Sequence, residues 1–143
     1  MALVADSGGI YGLYDRRDSA HGKLREALER ERDQIVIPSA TLGEVDYLLR
    51  VRLGTRALLQ FLSDVDAGAF RVEAVTPTDL RRCAALLEKY SDLDLGLCDA
   101  AVIAVAERLG TDRILTVDER DFRAIRSVRG KSFRLLPADL RKR

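Results

Sequence analysis

Residues 114–122 read ILTVDERDF, an apolar run that passes straight into a carboxylate at Asp118. A strand that merely has to stop does so with Gly or Asn, whereas an acid at a strand end can also point into a crevice that holds a ligand. The first residues repeat the arrangement: in MALVADSGG, Ala2 to Ala5 lead directly into Asp6. In an open α/β sheet, ligands bind outside the carboxyl ends of the strands. Asp6 and Asp118 therefore meet at one rim if their strands are parallel neighbours.

Working outward, further runs rich in β-branched or large apolar residues predict strands at Gln34 to Ile37 and Phe133 to Leu136, beside Ala2 to Ala5 and Arg113 to Val117. A fifth is placed at Phe70 to Ala74. Helical spacing fills the intervals at Ser19 to Arg32, Thr41 to Arg52, Thr55 to Ala67 and Leu97 to Leu109, with Leu58, Leu59 and Leu62 facing inward on the third of these. TPTDL opens another helix that runs to about Tyr90: Thr76 caps, Pro77 takes the first turn and Asp79 favours its positive end. Gly110 ends the Leu97 to Leu109 helix in a C-terminal cap position, and DERDF follows the Arg113 to Val117 strand as a turn. Near-continuous apolar strands alternating with helices argue for an α/β three-layer sandwich around a mostly parallel sheet of four or five strands. The length of 143 residues, 47% of them hydrophobic, suits one domain over 1–143.

The net charge of +1 conceals two biases. The 24 basic residues are 20 Arg and 4 Lys, and Arg offers a planar fork that matches phosphate oxygens. Residues 113–143 carry 10 basic and 4 acidic side chains, while residues 1–112 carry 14 and 19. Cys83 and Cys98 form no C-x-x-C pair and have only His21 as an imidazole companion, which argues against a zinc site or a disulfide framework. With no signal segment and no apolar run of about 18 residues, the expectation is a soluble cytoplasmic protein that does not engage a membrane.

Two more acids join the rim. Asp99, in GLCDAAVIAVA, stands just inside the start of an apolar helix whose Ala100, Ala101 and Ala104 allow close approach to the sheet. Glu44, in PSATLGEVDYLL, lies early in the helix after the second strand. At an effective dielectric near 20, two such charges about 4 Å apart repel by roughly 4 kcal/mol, so a convergent set takes up protons or a cation. Hard oxygen ligands without Cys or His favour Mg²⁺ or Mn²⁺ over Zn²⁺. Such ions activate water and stabilise charge on a phosphate in flight, the chemistry of metal-dependent nucleases. Taken singly, each acid is equally a cap, turn or surface residue.

These segments together resemble the PIN-domain family, and within it the VapC-type ribonuclease toxins. The resemblance spans almost the whole chain. It rests on VADSGG, ATLGEVDYLL, DLDLGLCDAAVIAVAERLG and ILTVDERDF, the last similar to the family's T-x-D-x-x-x-F. It implies Asp6, Glu44, Asp99 and Asp118 as catalytic and metal-binding residues of a Mg²⁺- or Mn²⁺-dependent endoribonuclease. It further implies an RNA substrate, a cognate antitoxin protein and a homodimer. The sequence departs from the family at DSGG, where Gly8 and Gly9 replace larger side chains, and Ser7 retains a small hydroxyl there.

Asp94 and Thr116 are auxiliary candidates, each equally explained as a turn former or a packed strand residue. Arg81, Arg82, Arg120 and Arg123 are candidate RNA contacts, with Tyr11 and Tyr14 as candidate stacking groups, against the plainer reading of a charged surface and core aromatics. Asp121 is read as part of a turn and Phe122 as core. Leu48 and Leu59, unless buried in the monomer, would form a dimer face or an antitoxin groove. Two rival readings fit less well. A haloacid-dehalogenase-like or receiver domain needs a second Asp where Gly8 stands, or a Lys at a later strand end where Lys131 is badly placed. A non-catalytic RNA- or protein-binding module leaves four acids to repel a phosphate backbone.

Overall fold

The computed structural model describes residues 1–141; Lys142 and Arg143, the end of the basic tail, lie outside the described residues. Five strands, β1 (Ala2–Ala5), β2 (Gln34–Pro38), β3 (Phe70–Glu73), β4 (Arg113–Leu115) and β5 (Arg134–Leu136), form one sheet in the order β3-β2-β1-β4-β5. Every pairing is parallel, with Val4 opposite Val36 on one side and Ile114 on the other. Parallel neighbours demand crossovers, and helices supply them: α1 (Ser7–Tyr14), α2 (His21–Glu31), α3 (Leu42–Arg52), α4 (Thr55–Asp66), α5 (Pro77–Lys89), α6 (Leu97–Arg108) and α7 (Glu119–Ala124).

The alternation of side chains along each strand sorts the core into two layers. Val4, Val36, Ile114 and Leu135 face α5 and α6, against Cys83, Leu86 and the run from Ala100 to Ala106. Leu3, Ala5, Ile35, Ile37, Leu115 and Leu136 face the other way, onto Ile10, Leu24, Val45, Leu49 and Phe61 of α1 to α4. Each fully buried large aliphatic contributes about 1.5–3 kcal/mol of transfer free energy, so the two layers clamp the sheet from both sides. The expected three-layer α/β sandwich is therefore present, with the fifth strand in place.

Several local expectations are corrected. SGGIYGLY forms α1, although three glycines in eight residues disfavour a helix. Gly9 explains the choice: a Cβ there would lie 2.5 Å from the Leu115 carbonyl oxygen, so only glycine lets α1 press against the end of β4. DERDF is not a turn, because Asp118 begins α7 and Asp121 sits in that helix's first turn. β4 stops at Leu115 rather than Val117. On α4, Leu59 and Leu62 are 59% and 50% exposed, and Phe61 fills the interior with Leu58 and Val65 beside it. The start of α5 has the expected Thr76 cap and Pro77 in the first turn, and Asp79 adds a reciprocal bond by accepting the Thr76 backbone N–H.

The topology fixes where a site can lie. The chain winds outward from β1 through β2 to β3 over one face, then crosses to β4 on the far side of β1 and covers the other face. The order reverses between β1 and β4, which leaves a crevice at their carboxyl ends.

Candidate active site

Asp6 follows β1 directly and caps α1. Its Oδ1 accepts the Gly9 backbone N–H at 2.8 Å, and its Oδ2 accepts the Thr116 hydroxyl at 2.6 Å. The residue is 7% exposed. Burial pushes its carboxyl up to about 6; the bonds from Thr116 and Gly9 pull the other way, and the charges of Asp99 and Asp118 add to the rise. Asp118 precedes α7 on the β4 side of the crevice without a side-chain bond to that helix, and its backbone N–H donates to Thr116 Oγ1 at 3.0 Å. With that bond received, the Thr116 hydroxyl proton is directed at Asp6.

Asp99 occupies the first turn of α6, half-buried. Burial raises its carboxyl above the usual range, opposed by the Gly96 backbone N–H and reinforced by the charges of Glu44, Asp118 and Asp121. Glu44, exposed in the first turn of α3, accepts the Ser7 hydroxyl at 2.8 Å, which ties the α3 acid to the residue after Asp6. The structure thus brings the four expected acids, Asp6, Glu44, Asp99 and Asp118, to one rim from β1, α3, α6 and the end of β4. Asp94 is exposed in the turn before α6 and is not among the charges that perturb Asp6 or Asp99.

Elsewhere, partly buried acids are matched by arginine: Asp79 by Arg108, Glu107 by Arg82, and Glu31 by Arg113 and Arg134. Among the described residues, none of the four rim acids forms an ion pair with Lys or Arg. The negative charge gathered there is left for something outside the chain to balance. Also among the described residues, no three His, Cys, Asp or Glu side chains converge tightly enough to hold an ion unaided. Such an open, all-oxygen arrangement suits Mg²⁺, which takes one or two carboxylates directly and reaches others through water.

Two neighbours were not read from the sequence as part of the rim. Cys98 donates its thiol to the Ala40 carbonyl at 3.3 Å. Burial, with the adjoining Glu44 and the charge of Asp99, pushes that thiol up to about 12, so it stays protonated and inert. Asp121 is the second, since its place on α7 makes its charge felt at Asp99. Its spacing from Asp118, one helical turn, was the available signal.

The RNA-contact candidates divide. Arg123 is engaged by Asp139 and Glu119, and Arg82 by Glu107. Arg81 donates to Thr78 Oγ1 at 3.2 Å. Arg120 is exposed and, among the described residues, has no ion-pair partner. The tyrosines are not free to stack on a base. Tyr14 packs among Phe61 and Phe70 with its hydroxyl on Asp64, and Tyr11 is buried, bonded to Asp15 beneath the Arg52 guanidinium. His21 donates to or accepts from nothing in the crevice; its Nδ1 lies 2.8 Å from the Gly12 carbonyl oxygen.

Comparison with known proteins places this geometry. Residues 3–128 match the PIN domain family. Ribonuclease VapC26 of Mycobacterium tuberculosis is 29% identical over 135 residues, covering 94% of this chain and all of the relative. Among solved structures, M. tuberculosis VapC20, a toxin that cleaves the sarcin-ricin loop, superposes with a TM-score of 0.74 at 22% identity, covering 81% of this chain and 89% of that one. A toxin-antitoxin complex from Klebsiella pneumoniae gives 0.66 at 23% identity, covering 86% and 92%. VapBC2 of Rickettsia felis, bound to a DNA fragment from its promoter, gives 0.64 at 15% identity, covering 87% and 93%.

Proposed function

The chain belongs to the PIN domain family, and from that premise we propose that it is an endoribonuclease, the toxin of a type II toxin-antitoxin pair, acting as a single nuclease domain with Mg²⁺ or Mn²⁺. Its relative along nearly the whole length is named a ribonuclease, and structures sharing the fold are toxins or toxin-antitoxin complexes. One observation carries the assignment to this rim: four carboxylates from four separate elements gather at the switch point with no cation of the chain's own among the described residues.

Asp6, Glu44, Asp99 and Asp118 are the residues that would hold the ion. When bound, such an ion makes water a nucleophile at neutral pH and offsets charge on the phosphate. The chain's part is positioning. Thr116 and Gly9 fix the Asp6 carboxylate, and the Ser7 hydroxyl holds Glu44. Arg120 supplies a free guanidinium for the RNA backbone.

The partners are an RNA substrate and an antitoxin protein. Tyr47 and Val51 of α3, with Leu59 and Leu62 of α4, are half-exposed or more on adjoining helices, and they favour this face for a homodimer or for the antitoxin. Leu48 is partly buried against α1 to α4 and adds little to it. No helix of the described residues is long and apolar enough to cross a membrane, in keeping with a cytoplasmic toxin.

The test is incubation of the purified protein with total RNA, with Mg²⁺ and with EDTA, followed by mapping of the cut ends. Discrete internal cuts that require the metal support the reading. RNA left intact in Mg²⁺ and in Mn²⁺ refutes it.

A further inference from the structure

Beside the acidic crevice lies a cavity of about 710 Å³ that the four acids do not use. It runs along α2 as far as Arg30, against the chain that follows β4 and β5, and its Thr116, Val117, Pro137 and Ala138 stand at the carboxyl ends of those two strands. Thr116 joins the two spaces. Its hydroxyl bonds Asp6 in the crevice, and with Val117 it forms part of the cavity wall. Val117 and Glu119, the chain neighbours of Asp118, line the cavity and are exposed, so a ligand held at the Asp118 side of the crevice lies beside it.

The lining has two characters. Val117, Pro137, Ala138 and Leu140 present an apolar surface, Val117 being 45% exposed. The charged groups are Lys23, Arg30 and Arg141 against Glu26 and Glu119. Both acids are already committed: Glu26 pairs with Arg30 at 3.4 Å and Glu119 with Arg123 at 3.1 Å. Arg30 also donates to the Arg141 backbone carbonyl, which holds the terminal segment against α2. Lys23 and Arg141 have no carboxylate partner among the described residues, so the cavity keeps uncommitted positive charge next to a rim that keeps uncommitted negative charge.

An apolar plate with free cations at its edge is what a nucleotide requires, a surface for the base and counter-charge for its phosphate. We propose that this cavity is the subsite for one nucleotide flanking the scissile phosphate of a single-stranded RNA, an inference that rests on the nuclease reading above. A base seated there must be unstacked from its neighbours, which a loop or an open strand permits and a continuous duplex does not. The cavity of about 560 Å³ under α1, α2 and α4 is a poorer choice, because its wall holds the bonded pair Tyr14 and Asp64 and none of the residues that flank Asp118.

The experiment uses the full chain and single-stranded RNA oligonucleotides that contain a mapped cut site, comparing the wild type with Ala138→Trp, Lys23→Ala and Asp99→Asn. Ala138 and Lys23 are exposed, so neither change disturbs the core. Ala138→Trp alters both the volume and the stacking face of the wall, so KM is expected to shift by about tenfold and base preference on one side of the cut to change while kcat moves less. Lys23→Ala is expected to raise KM and to lower the slope of log affinity against log salt by about 1. Wild-type KM and unchanged base preference in Ala138→Trp, or wild-type KM and salt slope in Lys23→Ala, overturn the subsite. If Asp99→Asn is at the same time inactive, the nuclease reading survives that failure. A wild type that cuts none of the oligonucleotides in Mg²⁺ or Mn²⁺ overturns both.

Discussion

Thr116 donates its hydroxyl proton to Asp6 at 2.6 Å, joining the end of β4 to the end of β1 across the point where the strand order reverses. The same oxygen accepts the Asp118 backbone N–H, so one side chain sets both an acid's orientation and the start of α7. Thr116→Val keeps the shape and removes both bonds. Stability is expected to fall by about 1–3 kcal/mol, the cost of leaving buried polar groups unpaired, and RNA cleavage to fall in kcat more than in KM. Thr116→Ser should restore most of both. Urea unfolding and steady-state cleavage of one oligonucleotide provide the measurements.

The raised carboxyl of Asp6 makes the metal-free protein pH-sensitive. Its folded value of about 6 stands above the ordinary 3.8, so the folded state holds the proton more tightly than the unfolded chain. The associated stability is fully present below about pH 3.8 and is lost as pH rises through 6, a cost on the order of 3 kcal/mol by neutral pH. In EDTA at pH 7.5, Asp6→Asn should therefore unfold at higher urea than the wild type, and the gap should close toward pH 4. Equal midpoints at pH 7.5 would show that the Asp6 charge is balanced within the chain.

Gly9 is the contact that sets α1 against β4. A Cβ would approach the Leu115 carbonyl, a backbone atom that cannot swing aside, so Gly9→Ala is expected to cost about 2 kcal/mol or more and to displace Asp6 from Thr116. Gly43→Ala, where nothing lies within 4 Å, is the control and should change stability little. Thermal unfolding distinguishes them.

Arg120 and Arg123 stand three residues apart but have different surroundings. Arg120→Ala should weaken RNA binding and reduce its salt slope by about 1, because an uncommitted guanidinium displaces counterions from phosphate. Arg123→Ala, which releases Asp139 and Glu119, should act on stability and leave the salt slope nearly unchanged. Fluorescence anisotropy across a salt series reads both.

The strand pattern and the acids were legible because their signals are short-ranged. An apolar run ending in Asp names both a strand and the side on which it ends, and β1 was placed at Ala2–Ala5 from that alone. What was not legible depended on tertiary contact. No local preference makes SGGIYGLY a helix; the close approach of Gly9 to Leu115 does. The six residues of α7 are too few to show a period. On α4, Leu58, Phe61 and Val65 keep helical spacing, and so do Leu59 and Leu62, so periodicity could not say which row faced the sheet. The two readings of the tyrosines, core or stacking group, could not be separated for the same reason, since an aromatic reads alike whether it packs in a core or on a base. For the site, the sequence supplied the acids and their elements. Which hydroxyl holds which carboxylate, and that no arginine neutralises the rim, required the fold.

The central claim is that Asp6, Glu44, Asp99 and Asp118 form one seat for a hard divalent ion. The most direct measurement is calorimetric titration of Mn²⁺ into the metal-free wild type and into Asp99→Asn, with folding of each checked by circular dichroism. Saturable binding by the wild type, lost or greatly weakened in the equally folded variant, is the result expected. Undiminished binding in Asp99→Asn, or no binding by the wild type, would contradict it.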